Sequence, residues 1–272
     1  MSRGGLWTSQ LVYGAPGAGK SHYCISAFWD FKQNKAIRDG VLLTFGREDS
    51  ALYGLPSSMV RTFSVPALDN MTWFADFTEY CDRLAQEAQA GRHKDVIVID
   101  GLSEFDLLYE EAYTNVYDSK DKFAKFEALM SDTLGLMQRL DPRILGAHVL
   151  ATARITDKRK SRQSRNVTLP GDPDWVEAEH FPAFRGKFRY ELGHYFDFLF
   201  FVDSETALHA ETGQRRPVHI LHTIRTGDYL IKNRLEEKWL DAGKPTEFTN
   251  ATFDAVYKVI EELTGGAAAK VG

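Results

Sequence analysis

Eight consecutive residues, Gly14, Ala15, Pro16, Gly17, Ala18, Gly19, Lys20 and Ser21, constrain this chain more than any other stretch. They match G-x-x-x-x-G-K-[ST], the pattern of a loop that wraps phosphate oxygens in its own backbone N–H groups. Such a wrap needs positive φ angles and close approach of main chain to anion, and glycine meets both demands because it has no Cβ. Lys20 offers an ammonium to the β- and γ-phosphates. Ser21 opens the following helix, so its hydroxyl can reach a magnesium ion while the first helical N–H groups, that of His22 among them, face the anion. The flanks agree: residues 8–13 read as a short strand, and residues 21–31 have the length and apolar spacing of a buried helix. The stretch predicts a nucleoside triphosphate site, with ATP and Mg2+ as its ligands.

A chain of 272 residues with 43% apolar content can bury a core without disulfides or metals, which predicts one sizeable globular domain. Cys24 and Cys81 fall at apolar positions of predicted helices and form no C-x-x-C pair. They read as core residues of a protein kept reduced, and no Cys/His clustering suggests zinc. No charged-then-apolar leader opens the sequence, and apolar runs such as 198–202 are too short to span a bilayer, so the expectation is a soluble, cytoplasmic protein. The net charge of −5 excludes a surface basic all over, while leaving room for one local anion site.

Strand and helix signals alternate, as in a mostly parallel central sheet with helices on both faces. Candidate strands are 11–13, 41–44, 60–64, 96–100, 148–153, 196–202, 218–223 and 229–232. One long helix carries Trp73, Phe74, Phe77, Cys81 and Leu84 on a single face, with Asp69 or Asn70 as its cap and Gly91 after its end. A second runs over about 119–140 with Phe123, Phe126, Met130, Leu134 and Met137 as its stripe, until Asp141 and Pro142 stop it. A last helix is expected over 248–263. The organisation read from these signals is a main domain over 1–240, a helical extension over 241–264 and a disordered tail over 265–272.

A second chemical signal is the apolar run 96–99 ending in Asp100. A strand buried on both faces that ends in a carboxylate beside a phosphate loop is suited to hold the hydration shell of magnesium. Gly101 follows where many oligomeric ATPases carry a glutamate that activates water, so the general base must come from elsewhere. Glu48, just past the strand 41–44, is the candidate, with Asp49 and Glu104 as rivals.

This arrangement resembles the RecA-like P-loop ATPases, in which a glutamate on the strand beside the metal-holding one orients the attacking water. The distal chain adds to the likeness. Phe184-Arg-Gly-Lys187, then Leu192-Gly-His-Tyr-Phe-Asp197 and an apolar strand, look like the phage-encoded RecA-like proteins associated with single-strand annealing and recombination. Tyr229-Leu-Ile-Lys232-Asn-Arg234 is similar to the K-x-R element of RecA-like hexamers, whose lysine and arginine reach the adjacent subunit's nucleotide. The likeness spans roughly residues 8–240, and the phosphate loop alone is individually specific. It implies a DNA-coupled ATPase assembled as a ring or filament, with Lys232 and Arg234 acting across an interface. It also implies a single-strand DNA-binding protein as a further partner and, for a phage-encoded chain, residence in the bacterial cytoplasm. Residues two apart on a strand do face the same way, so these two cations can act together on a phosphoryl group.

The resemblance also sets a DNA-binding loop after the strand 148–153, where Lys158, Arg159, Lys160, Arg162 and Arg165 gather in an otherwise acidic chain. A basic loop is a local electrostatic footprint for phosphates, and Trp175 is available to stack on a base. Many relatives carry Gln or His where Arg154 aligns. Other readings of the same core stay open: a hexameric helicase or loader, a P-loop kinase, or a module that uses nucleotide as a switch. His219 and His222 lie three apart on one strand, so they point to opposite faces and make poor joint metal ligands.

Overall fold

Successive side chains of one strand enter opposite cores. Leu11 and Tyr13 pack with one cluster while Val12 packs with the other, and the same alternation splits Ile97 and Ile99 from Val96 and Val98. A period of two with both phases apolar requires cover on both faces of a sheet. The computed structural model describes residues 6–45, 54–63, 71–116, 122–157, 180–184, 194–208, 214–225 and 229–265, and it has that layered form.

The strands are β1 (Ser9–Gly14), β2 (Trp29–Asp30), β3 (Lys35–Ala36), β4 (Gly40–Phe45), β5 (Val60–Phe63), β6 (Val96–Asp100), β7 (His148–Asp157), β8 (His180–Pro182), β9 (Phe198–Leu208), β10 (Arg215–His222), β11 (Lys232–Asn233) and β12 (Glu247–Thr249). The helices are α1 (Lys20–Ile25), α2 (Thr72–Gln89), α3 (Leu102–Val116), α4 (Lys122–Arg139), α5 (Pro142–Leu145), α6 (Glu236–Asp241) and α7 (Phe253–Thr264). The main sheet runs β12-β10-β9-β1-β7-β6-β4-β5, and β2 pairs with β3 as a separate hairpin. From β9 to β5 every neighbouring pair is parallel, whereas β10, β11 and β12 join antiparallel. The fold is thus α/β with a mostly parallel central sheet.

One face is covered by α2, α3, α4 and α5, with an aromatic core in which Phe45, Phe63, Trp73, Phe77 and Phe105 meet edge to face. The other is covered by α1, α6 and α7, through Tyr23, Cys24, Trp239, Phe253, Val256 and Ile260. The helix 253–264 therefore packs into the same core as β1, and β12 extends the sheet beside β10. Both cysteines are buried and free, and burial pushes the Cys81 thiol up to about 12. The stripe of α2 falls as its spacing predicts, with Trp73, Phe77, Cys81 and Leu84 buried.

Four local expectations need correction. The helix expected over 21–31 ends at Ile25, because Ser26 is engaged elsewhere. Its hydroxyl donates to the Tyr23 carbonyl at 2.6 Å and accepts the Phe253 N–H at 2.8 Å, which anchors the start of α7. Met71 stands at the N-cap of α2, with no side-chain cap; Asp69 and Asn70 lie outside the described residues. The sequence pattern assigns no element to 102–116, yet α3 occupies it, and its buried Leu102, Phe105, Tyr109 and Ala112 recur at helical spacing. The last helix starts at Phe253 because 247–249 is taken by β12.

Candidate nucleotide-binding site

Parallel strands that start together also finish together, so the chain leaves β1, β6 and β7 along one edge of the sheet. β1 ends at Gly14, where the phosphate loop begins, and an added Cβ there would lie 2.1 Å from the main-chain oxygen of Val202. Only glycine allows the loop to spring from a strand pressed this closely against β9. Gly17 and Gly19 adopt φ of 76° and 92°, the left-handed region the motif's glycines predict, and the Ala18 N–H donates to the Ala15 carbonyl at 3.2 Å. The Lys20 ammonium folds back over this turn, donating to the carbonyls of Gly14 at 3.1 Å and Ala15 at 2.7 Å.

Beside the loop stands Asp100, buried at the end of β6. Its Oδ1 accepts the Ser21 hydroxyl at 2.8 Å, so two residues 79 positions apart, each singled out from its own motif, meet directly. The strand between them supplies a third member that the sequence motifs do not reveal. Thr152 of β7 donates its hydroxyl to the same carboxylate oxygen at 2.6 Å and accepts the Gly101 N–H at 2.8 Å. A Thr directly after the apolar run 149–151 was the available signal, legible once Ile99 is set opposite Ala151. Ser21 and Asp100 carry oxygens of the kind magnesium takes alongside phosphate and water, and the pair would fit that ion. Among the described residues no cluster of three or more His, Cys, Asp or Glu offers another metal site.

The same edge holds Glu104, whose carboxylate pairs with Arg154 at 2.8 Å, while the Arg154 N–H donates to the Ser103 hydroxyl at 3.0 Å. On the opposite flank, His22 stacks on Phe31 with ring centroids 4.1 Å apart, and burial and then the neighbouring His219 hold its imidazole below the usual histidine range. His219 and His222 do face opposite sides of β10: one meets Gly19, the other stacks on Phe201.

Lys232 and Arg234 are far from this edge. β11 pairs antiparallel with the beginning of β9, so both cations sit where the parallel strands start. Both turn toward residues 196–197, as their spacing predicts. Lys232 donates to the Phe196 carbonyl at 2.8 Å, and burial, then Arg234, lower its pKa. Arg234 pairs with Asp197 at 2.5 Å, and the other oxygen of Asp197 accepts the Ser9 N–H at 2.8 Å and the Ser9 hydroxyl at 3.0 Å. The pair borders a cleft of about 570 Å³ whose wall includes Trp7, Met137, Arg143 and Tyr195. The strand expected over 229–232 is reduced to Lys232–Asn233: Tyr229 bridges instead to His180 of β8, where the Leu230 N–H donates to the His180 carbonyl at 3.1 Å, and stacks on Phe201 with ring centroids 3.7 Å apart.

Glu48 and Asp49, the cations Lys158, Arg159, Lys160, Arg162 and Arg165, Trp175, and 185–187 of the Phe184 motif lie outside the described residues. Among the described residues no helix is long and apolar enough to cross a membrane. No family model matches the chain, and no curated relative was found.

Proposed function

We propose that this chain is a RecA-like P-loop ATPase that binds single-stranded DNA and hydrolyses ATP at subunit interfaces, in recombination or strand annealing of the phage type. The observation that carries the reading is the 2.8 Å contact between the Ser21 hydroxyl and the Asp100 carboxylate, at the edge where the glycine loop leaves β1. Ser21, together with Asp100 acting through water, would hold magnesium, which would supply charge neutralisation of the β- and γ-phosphates. Lys20 exchanges its two loop carbonyls for phosphate oxygens, and Thr152 keeps the Asp100 carboxylate aimed at the loop. β4 lies beside β6 with Thr44 opposite Asp100, so the chain toward Glu48 departs from the edge at which water must be polarised. Lys232 and Arg234 are at the opposite end of the sheet from their own phosphate loop. Any role for them in catalysis is therefore at a neighbouring subunit's nucleotide, in a ring or filament.

The test is steady-state ATP hydrolysis with and without single-stranded DNA, in the native chain and in Lys20→Ala. The expected result is turnover that DNA raises and that the substitution abolishes. DNA-indifferent turnover by a monomer would favour a P-loop kinase, and nucleotide-dependent assembly without turnover would favour a switch module.

A further inference from the structure

A triphosphate lying along the glycine loop has two ends, and the strand order distinguishes them. The metal-holding pair is on the β6 side of β1, across β7. The phosphates nearest the metal are β and γ, so the nucleoside end of the ligand points the other way, past β9 toward β10. The residue that β10 presents there is His219. An added Cβ on Gly19 would lie 2.8 Å from its ring, so the imidazole rests directly on the loop.

The main chain that carries the ring is held from outside its own strand pair. Asn250 adopts φ of 48°, its N–H donates to the His219 carbonyl at 2.6 Å, and its Oδ1 accepts the His219 N–H at 3.1 Å. This double clamp fixes the main chain of His219 from a segment beyond β12. The inner ring nitrogen, Nδ1, is closed off from solvent and has no hydrogen-bond partner among the described residues. A buried N–H without an acceptor is costly, so the proton belongs on Nε2, which then presents a donor away from the loop. His22, next to the loop's Ser21, stacks on Phe31 with ring centroids 4.1 Å apart. A single imidazole N–H is a weak phosphate ligand beside the Lys20 ammonium and a good partner for a sugar or base oxygen.

We infer that His219, clamped by Asn250 and seated on Gly19, is the nucleoside-recognising residue of this site, donating from Nε2 to the ribose or base of a nucleoside triphosphate while His22 and Phe31 flank it. The inference rests on the nucleotide-binding reading above.

Calorimetric titration of Mg2+ with ATP, and separately with inorganic tripolyphosphate, distinguishes the two. The native chain binds both, and Lys20→Ala weakens both. His219→Ala weakens ATP about tenfold, the value of one well-placed hydrogen bond to a buried partner, and changes tripolyphosphate by less than about twofold. Equal weakening of the two ligands would make His219 a prop behind the loop and overturn the inference, as would no change in either. A native chain that binds neither ligand overturns the nucleotide reading itself. A second measurement does not depend on a variant's fold: in the native chain, the imidazole NMR signals of His219 shift farther on adding ATP than on adding tripolyphosphate, and the Nε2–H signal becomes protected from exchange with ATP alone. Equal shifts and protection with both ligands, or none with either, count against the assignment.

Discussion

Asp100 and Asp197 sit at opposite ends of one sheet, and their donors differ. Asp100 accepts hydroxyls from Ser21 and Thr152, groups that rotate about a single bond and can turn to another acceptor. Asp197 accepts a main-chain N–H and a hydroxyl from Ser9 and a guanidinium from Arg234. A main-chain N–H cannot turn away without moving its strand. The same side chain is thus poised for exchange at one edge and committed to architecture at the other, and the donors decide which.

The sharpest break of this contrast is at the open edge. Gly14→Ala sets a methyl 2.1 Å from a backbone oxygen that cannot yield, so a loss of about 3 kcal/mol is expected in urea unfolding. A variant of native stability would mean that β1 and β9 part more easily than their pairing implies. At the committed edge, Asp197→Ala strands the buried Ser9 N–H and is expected to cost about 2 kcal/mol. Arg234→Ala, which removes an exposed partner, should cost about 0.5 kcal/mol. Equal costs would show that the guanidinium, not the strand, is what Asp197 holds.

A further effect at the committed edge concerns pH. His148 opens β7 at the committed edge, its Nδ1 accepts the Thr8 N–H at 3.3 Å, and burial lowers its pKa from 6.5 to about 3. Between those values the unfolded chain binds the extra proton and the folded chain does not, so stability falls as pH drops below 6.5. The slope contributed is at most about 1.4 kcal/mol per pH unit. In His148→Gln that contribution should vanish from thermal melts between about pH 6.5 and 5, and an unchanged slope would mean that other groups carry it.

Much of the layered fold was legible because its strands are apolar in both phases and its long helices carry clear stripes, as 73–84 does. The phosphate loop and Asp100 were legible because backbone wrapping of an anion permits few residue types. What escaped depended on distant partners. Ser26 ends α1 because Phe253 needs its hydroxyl, and no local pattern carries that demand. Thr152 and the Ser9–Asp197 contact become visible only once strand register is known. α3 is the exception, since its spacing was present in the sequence.

The pairing of β1 also bears on the order in which the chain can fold. On both sides β1 has neighbours far later in the chain: Ser9 meets Val149, and Gln10 meets Phe198. Contacts of such separation are slow to form, and chains emerge N-terminus first. A nascent chain that stops short of residue 198 carries β1 with an unpaired apolar flank, the kind of edge that recruits other strands. The phosphate loop is made long before Val202, on which it is seated, and is finished only when that seat arrives.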